Sequence, residues 1–402
     1  MAGVGGSVAA VGVVGAGTMG AGIAQLAIEA GRRVLIHDVD AAAIERGRTR
    51  IRAGLQRRAA RLDLDADETE TWIEARLDRL VDALTIGDLA AAQPELIVEA
   101  ALEDLEAKRT IVRALDAATT ATTILATNTS ALSVAAIAEA AAHPGRVLGL
   151  HFFNPAPVMP LVEVVAAPTT DPAVADRATA LMTAWGKVPV RCSDTPGFIV
   201  NRVNRPFTLE ALAILAEGGG TVETIDGALR AAGFPLGPFQ LMDLTGIDIT
   251  LAASRGIFER SRTAGDPLAE RFRPSPLQER LVADGRLGRK TGSGFYAYGL
   301  DGRAVGPAAE IGAEDTAMAT PPDTIAARIT LAIVNEAYRA VALGVATEAD
   351  IDLAMRLGAS PPIGPFERAA QLGGPAAVRE ALGVFATAGP RFDPAPALLS
   401  DG

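Results

Sequence analysis

Several residue types are scarce in this sequence, and each scarcity excludes something. Among 402 residues there is one cysteine, Cys192, and there are three histidines. A single cysteine cannot form an internal disulfide, and its isolation fits a reducing, cytoplasmic setting. So few thiols and imidazoles do not make a zinc site, and no metal is expected. Lysine is almost absent. Of 37 basic residues only Lys108, Lys187 and Lys290 are lysine, which leaves 34 arginines. Such a bias reflects the coding genome, so positions that keep an ammonium stand out: a point charge and a planar guanidinium are not interchangeable. Basic residues are also outnumbered, 37 against 48 acidic, for a net charge of −11. That argues against nucleic-acid or acidic-membrane partners, which need a basic face.

Charge is missing altogether from residues 1–28, but eight of those residues are glycine and no basic segment precedes them. Residues 117–138 are also uncharged, and they are rich in Thr, Ser and Asn. Neither run reads as a secretory signal or a spanning helix. What the chain does have is 49% hydrophobic residues and length for two to three domains with real cores.

Val8 to Val14 reads as a buried strand. Gly15-Ala16-Gly17-Thr18-Met19-Gly20 follows at once. Ala21 to Ala30 is then helical in composition, Gly31 stops it, and Arg33 to Ile36 forms a second strand ending at His37-Asp38. This is one βαβ unit, in which parallel pairing is expected. Ile44 to Leu80 reads as two helices broken near Asp63–Asp67, the first rich in arginine. Further strands are expected at Leu96–Val98, Thr123–Ala126, Arg146–Leu150, Leu161–Val165 and Val188–Arg191. The first ~190 residues are thus expected to form a doubly wound α/β domain with a mainly parallel sheet.

After Asp194-Thr195-Pro196-Gly197 the sequence turns Ala/Leu-rich and strand-poor, and 301–323, rich in Gly, Ala and Pro, reads as a linker. The region beyond it repeats the region before. Glu210-Ala211 matches Glu336-Ala337, and Thr224-Ile225-Asp226 matches Asp350-Ile351-Asp352, both at an offset of 126 residues. Pro235-Leu236-Gly237-Pro238-Phe239 then matches Pro362-Ile363-Gly364-Pro365-Phe366 with one residue inserted. Two tandem copies of a small helical domain explain this. The expected layout is a nucleotide-binding domain at 1–193 with a helical hairpin at 44–80, a helical domain at 194–300, the linker, and a second copy at 324–402.

The glycine motif sits between a strand and a helix, with Asp38 at the end of the next strand, 23 residues past Gly15. In that setting Gly15 permits a tight turn, Gly17 lets a pyrophosphate approach, and Gly20 lets helix and strand pack closely. The helix N-terminus offers N–H donors to phosphates. A carboxylate at Asp38 would accept from ribose hydroxyls and repel a 2′-phosphate, so NAD is expected. A bare structural glycine turn is the alternative.

His151, in Leu148-Gly149-Leu150-His151-Phe152-Phe153-Asn154-Pro155, falls at the C-terminal end of a strand, where open parallel sheets bind ligands. Glu163 lies twelve residues on, in an apolar strand, and calls for a buried partner. Neighbouring strands would bring the two together, the carboxylate fixing the tautomer and the imidazole serving as base. A core histidine bonded to a structural glutamate is the other reading.

These motifs, with Val98-Glu99-Ala100, Thr127-Asn128-Thr129-Ser130, Val162-Glu163-Val164, Asp194-Thr195-Pro196-Gly197-Phe198, Asn201-Arg202 and Lys290-Thr291-Gly292-Ser293-Gly294-Phe295, together resemble the L-3-hydroxyacyl-CoA dehydrogenases. The resemblance runs in family order from residue 8 to about 298, and the second helical copy extends it. It implies a Rossmann-type NAD-binding domain followed by helical domains. The reaction it implies is NAD-dependent oxidation of (S)-3-hydroxyacyl-CoA to 3-ketoacyl-CoA, or its reverse. His151 then corresponds to the general base and Glu163 to its orienting acid. Ser130 and Asn201 correspond to residues that orient the substrate oxygen. Gly15, Gly17, Thr18, Met19, Gly20, Asp38, Glu103, Lys108, Asn128, Ser130, Asn154 and Lys290 correspond to the cofactor side. Lys187, just before a strand, reads as structural. Arg61, in the arginine-rich helix, corresponds to a basic CoA contact, whereas Gly54 departs from the polar residue often found there.

The implied partner is an acyl-CoA, and the chain is expected either as a monomer whose two helical copies form an internal pseudo-dimer or as a homodimer. In the second copy Ala327 stands at the place of Asn201 while Arg328 matches Arg202, so one active site per chain is expected. Two other readings compete. One is a hydroxyacid or sugar-acid dehydrogenase that does not use CoA. The other is a non-catalytic NAD-binding module. A multifunctional β-oxidation subunit would need more chain for a hydratase domain.

Overall fold

A computed structural model describes residues 9–308, 311 and 320–399. The chain divides into two units, Met1–Asp194 and Thr195–Gly402.

The first unit is built on an eight-stranded sheet. Its strands are β1 (Ala10–Val14), β2 (Arg33–His37), β3 (Leu80–Asp82), β4 (Leu96–Glu99), β5 (Ile124–Thr127), β6 (Val147–Phe152), β7 (Leu161–Ala166) and β8 (Val188–Ser193), in the order β3-β2-β1-β4-β5-β6-β7-β8. β1 is buried along its whole length, as a charge-free central strand must be. The helices are α1 (Thr18–Glu29), α2 (Ala41–Ala60), α3 (Ala66–Leu77), α4 (Ile86–Ala91), α5 (Leu105–Ala118), α6 (Val134–Ala138) and α7 (Pro172–Ala184). One apolar layer joins the sheet to Ile23, Ile28, Ile51, Leu55, Ile73 and Met182; the opposite layer holds Leu89, Val112, Leu115 and Ile137. Helices therefore cover both faces, the doubly wound arrangement.

The strand pairs from β3 to β6 are parallel, but β6 and β7 are antiparallel. The cause is the short link 153–160: a parallel crossover needs a dozen or more residues. β3 is a strand the sequence did not announce, because three residues carry too little pattern.

The start of β6 is anchored by a buried ion pair. Arg146 Nη2 donates to Asp116 Oδ1 at 2.7 Å, and the same carboxylate accepts from the Ala142 N–H. Burial alone would raise the Asp116 pKa, but Arg146 and the N–H groups of Ala142 and His143 hold it below the usual carboxylate range.

The second unit contains α8 (Val200–Val203), α9 (Arg205–Ala216), α10 (Val222–Ala231), α11 (Pro238–Thr245), α12 (Ile247–Thr263) and α13 (Pro276–Ala283), then α14 (Pro322–Ala342), α15 (Glu348–Gly358), α16 (Pro365–Leu372) and α17 (Pro375–Gly383). The repeated landmarks mark one structural device used twice. Asp226 on α10 accepts from the Phe239 and Gln240 N–H groups at the start of α11. Asp352 on α15 does the same for Phe366 and Glu367 at the start of α16. A Cβ on Gly237 or Gly364 would lie 2.3 Å from the aspartate, so both copies need glycine there.

The copies differ where Pro206 stands in the first and Ala332 in the second. Proline cannot supply the N–H a continuous helix requires, so copy one breaks into α8 and α9, while α14 runs unbroken. Between the copies the ion pairs are reciprocal. Arg202 of copy one donates to Glu336 of copy two at 2.8 Å, and Arg328 of copy two donates to Glu210 of copy one at 2.6 Å.

Part of the expected linker is structured. Ala304–Pro307 forms β10, paired antiparallel with β9 (Tyr296–Tyr298). Residues 309–310 and 312–319 of that segment lie outside the described residues.

Candidate active site

The glycine turn follows β1 directly. Gly15 has φ +97°, open to glycine at little cost, and its N–H donates to the His37 carbonyl at 2.8 Å. A Cβ on Gly20 would lie 1.7 Å from the Gly15 carbonyl oxygen, so α1 can pack on the turn only without one. A Cβ on Gly17 would meet nothing within 4 Å. Gly17 also begins α1 with no side-chain cap, and Thr18 and Met19 are the first helical residues. Open space in front of an uncapped helix N-terminus fits a pyrophosphate. Asp38 directly follows the adjacent strand β2 and is tied to the turn: Oδ2 accepts from the Ala16 N–H at 2.6 Å and Oδ1 from the Val39 N–H at 2.7 Å.

A second group of polar residues gathers at the ends of β4 and β5. Glu99 is fully buried and accepts from Lys108 Nζ at 2.8 and 3.0 Å, the Thr127 hydroxyl at 2.6 Å and the Ala101 N–H at 2.7 Å. Lys108 is itself 1% exposed and lies 3.4 Å from Glu103. Glu103 accepts from the Thr129 hydroxyl and the N–H groups of Ser130 and Ala131. Burial would raise its pKa, but Lys108 and these donors outweigh that and hold the carboxyl ionised. The loop bearing Ser130 is thus pinned by Glu103. Asn128 Oδ1 accepts from the Phe152 N–H at 2.9 Å, locking the end of β5 to the end of β6.

His151 and Glu163 are direct cross-strand partners in the antiparallel β6–β7 pair. His151 Nδ1 is 2.5 Å from Glu163 Oε2, with side-chain exposures of 7% and 0%. The short link that forces antiparallel pairing also places these two opposite each other. The carboxylate so close to Nδ1 sets that nitrogen as the N–H donor and assigns Nε2 as the basic one.

A cleft of about 430 Å³ opens beside this edge of the sheet, wholly within the first unit. Thr18, Gly22 and Gln25 of α1 form one wall. Arg50, Gly54, Arg57, Arg58 and Arg61, at the end of α2, form the second, and Asn154 to Val158 form the third. The cleft brings together Asn154 and Arg61, and it selects Arg50, Arg57 and Arg58 from the arginine-rich helix 46–61 that the sequence offered as the basic surface for CoA. Their signal was present: positions 50, 54, 57, 58 and 61 recur at helical spacing on one face. Gly54 has a packing reason, since its Cβ would lie 2.0 Å from Gln25 Oε1. Gln25 brings a polar group to the cleft from α1.

Asn201 and Lys290 belong to the second unit. Asn201 lies on α8, next to the buried Arg202. Lys290 Nζ contacts both oxygens of Asp248 at 2.6 and 2.7 Å. The motif that follows it wraps a buried acid: Asp243 accepts from the N–H groups of Phe295 and Tyr296. Among the described residues no group of His, Cys, Asp and Glu could hold a metal ion.

A family model described as the NAD-binding domain of 3-hydroxyacyl-CoA dehydrogenase matches residues 10–195. The model of that family's C-terminal domain matches 197–298 and 325–400. The 3-hydroxyadipyl-CoA dehydrogenase of Escherichia coli is 38% identical over 91% of each chain. A 3-hydroxybutyryl-CoA dehydrogenase of Mycobacterium tuberculosis is 40% identical over 72% of this chain and 98% of its own. Among solved structures, a 3-hydroxybutyryl-CoA dehydrogenase from Escherichia coli superimposes with a TM-score of 0.85 at 35% identity, covering 98% of both chains.

Proposed function

The chain belongs to the 3-hydroxyacyl-CoA dehydrogenase family, and we propose that His151 and Glu163 are the pair through which it oxidises (S)-3-hydroxyacyl-CoA. The carrying observation is their placement opposite one another on β6 and β7, Nδ1 to Oε2 at 2.5 Å. His151 Nε2 takes the proton of the 3-hydroxyl. Glu163 keeps the ring oriented and stabilises the imidazolium that forms. NAD would supply the acceptor for the hydride that leaves C3. Gly15, Gly17, Thr18, Met19, Gly20 and Asp38 would hold it at the head of α1. The family resemblance assigns Glu103, Lys108, Asn128, Asn154 and Lys290 to the cofactor side as well, and Lys108, buried against Glu99 and Glu103, would act through those carboxylates. Ser130 and Asn201 orient the substrate oxygen.

The arginine face of α2 suits the phosphates of CoA in a chain that is acidic overall. Arg61 is the residue the family resemblance assigns there, and Arg50, Arg57 and Arg58 share its cleft. The second helical copy takes the place of a partner's helical domain, so one chain carries one site and its own pseudo-dimer interface. The reciprocal Arg202–Glu336 and Arg328–Glu210 pairs support this, because an isologous contact has that form. The chain works in the cytoplasm, as its lone cysteine suggests, in fatty-acyl β-oxidation or the breakdown of related acyl-CoA. Among the described residues no helix is long and apolar enough to cross a membrane.

The test is a rate panel: (S)-3-hydroxyacyl-CoA of increasing length and a dicarboxylic counterpart, against free 3-hydroxybutyrate, each with NAD and with NADP. Turnover confined to the thioesters and NAD supports the assignment. Equal rates with the free acid overturn it.

A further inference from the structure

Three lysines persist among 34 arginines, and two of them face carboxylates: Lys108 meets Glu99, and Lys290 meets Asp248. Lys187 is different. It is 7% exposed, and its ammonium donates to two main-chain carbonyls, Ala156 O at 2.6 Å and Met159 O at 2.7 Å. Both carbonyls belong to the β6–β7 loop, and Asn154, Pro155, Ala156, Pro157 and Val158 of that loop form the third wall of the cleft. Two carbonyl oxygens converging on one buried point repel each other unless a donor lies between them. A compact ammonium with three donors fits there; a planar guanidinium fork is larger and differently shaped.

We propose that Lys187 is a positioning residue for the acyl-CoA cleft: its ammonium draws Ala156 and Met159 together and so fixes the loop wall opposite the arginine face of α2. This rests on the reading of the cleft as the acyl-CoA site. The loop is held at its far end as well, where the Val188 N–H donates to Pro160 O. The charged group facing Lys187 from α1 is Glu29, which also lines the cleft and lies 3.6 Å from Arg58.

Burial lowers the Lys187 ammonium to about 8, with Glu29 pulling the other way. The native chain therefore releases this proton on the alkaline side, and the brace weakens as pH rises through that value.

The experiment uses the full-length enzyme with butyryl-CoA as binding probe and (S)-3-hydroxybutyryl-CoA as substrate. Lys187→Met should raise the butyryl-CoA Kd and the substrate KM about fivefold to twentyfold, the scale of losing one charged donor to buried acceptors. Its kcat should stay within about threefold, and NAD affinity should change less than KM. The wild-type Kd should rise from about pH 7 to about pH 9.5, and the Met variant should be flat over that range. A folded Met variant with unchanged Kd and KM overturns the proposal. If that variant does not fold, a wild-type Kd independent of pH over the same range overturns it. A wild type that turns over acyl-CoA but shows neither effect sinks only this proposal. A wild type that neither binds nor turns over acyl-CoA removes the cleft assignment, and this proposal with it.

Discussion

Arg202 and Arg328 stand 126 positions apart, and each grips a glutamate of the opposite helical copy. Arg202 and Glu336 are 2% and 3% exposed, and Arg271 joins them at 2.7 Å from Glu336. Glu210 is fully buried and is shared between Arg328 and Arg391. Each glutamate is therefore shared by two arginines, of which Arg271 also pairs with Asp266 and Arg328 with Glu217.

Removing Glu336 takes the carboxylate away from the buried Arg202, and removing Glu210 takes it away from Arg391, while Arg271 and Arg328 keep Asp266 and Glu217. Glu336→Gln or Glu210→Gln should cost about 3–5 kcal/mol in urea unfolding, the usual cost of breaking a buried pair. Asp248→Asn, at the exposed Lys290 pair, should cost under about 1 kcal/mol. Equal losses at all three positions would contradict the view that the two copies are locked by these clusters.

Asp226 links stability to pH. Burial raises its pKa to about 6, against bonds from Tyr296, Phe239 and Gln240 that lower it. The native state thus holds a proton that the unfolded chain has released between about pH 4 and about pH 6, so this group's contribution to stability falls as pH rises through that window. The cost of Asp226→Asn should accordingly be larger at pH 5 than at pH 7 by urea denaturation. A cost that grows toward neutral pH would contradict the assignment.

Asp38 serves two ends at once, the Ala16 N–H of the glycine turn and the site proposed for the ribose. Asp38→Asn keeps an acceptor for the turn, and Asp38→Ala keeps none. The alanine variant should lose more NAD affinity by fluorescence titration than the asparagine variant. Both should discriminate less against NADP, because the repelling charge is gone. Equal NAD losses would mean that the contact with the turn contributes nothing.

The arginine wall should be felt through charge. Arg57→Ala and Arg61→Ala should each raise the KM for acyl-CoA about fivefold, for loss of a phosphate contact worth ~1 kcal/mol. The wild-type KM should rise with ionic strength, and the double variant should respond less. Comparable turnover of a short thioester lacking the nucleotide would confirm that the loss lies with CoA phosphates.

Much of this arrangement is visible in the chain itself. The glycine turn, the acid at Asp38 and the strand ending at His151 announce themselves by local order. Glu163 is legible because a charge in an apolar strand needs a partner, and the link of eight residues brings it to β6 in antiparallel register. The repeat shows in Asp226 and Asp352 because each must cap a helix that starts at Gly-Pro-Phe. What the sequence hides is set by distant contacts. Gly54 departs from the family's polar residue, and that Gln25, on another helix, lies against its Cα could not be read locally. Lys187 reads as structural from its place before a strand, but nothing local names Ala156 and Met159 as the carbonyls it holds. The hairpin at Tyr296–Tyr298 and Ala304–Pro307 lies where Gly and Pro suggest only a loop.

The central claim is that His151, held by Glu163, takes the substrate proton. Turnover of (S)-3-hydroxybutyryl-CoA by His151→Ala, with NAD affinity measured on the same preparation, tests it most directly. The expected result is a fall of ~10²–10⁴-fold in kcat with NAD binding preserved, the usual size of a lost general base. Full turnover in that variant would contradict it.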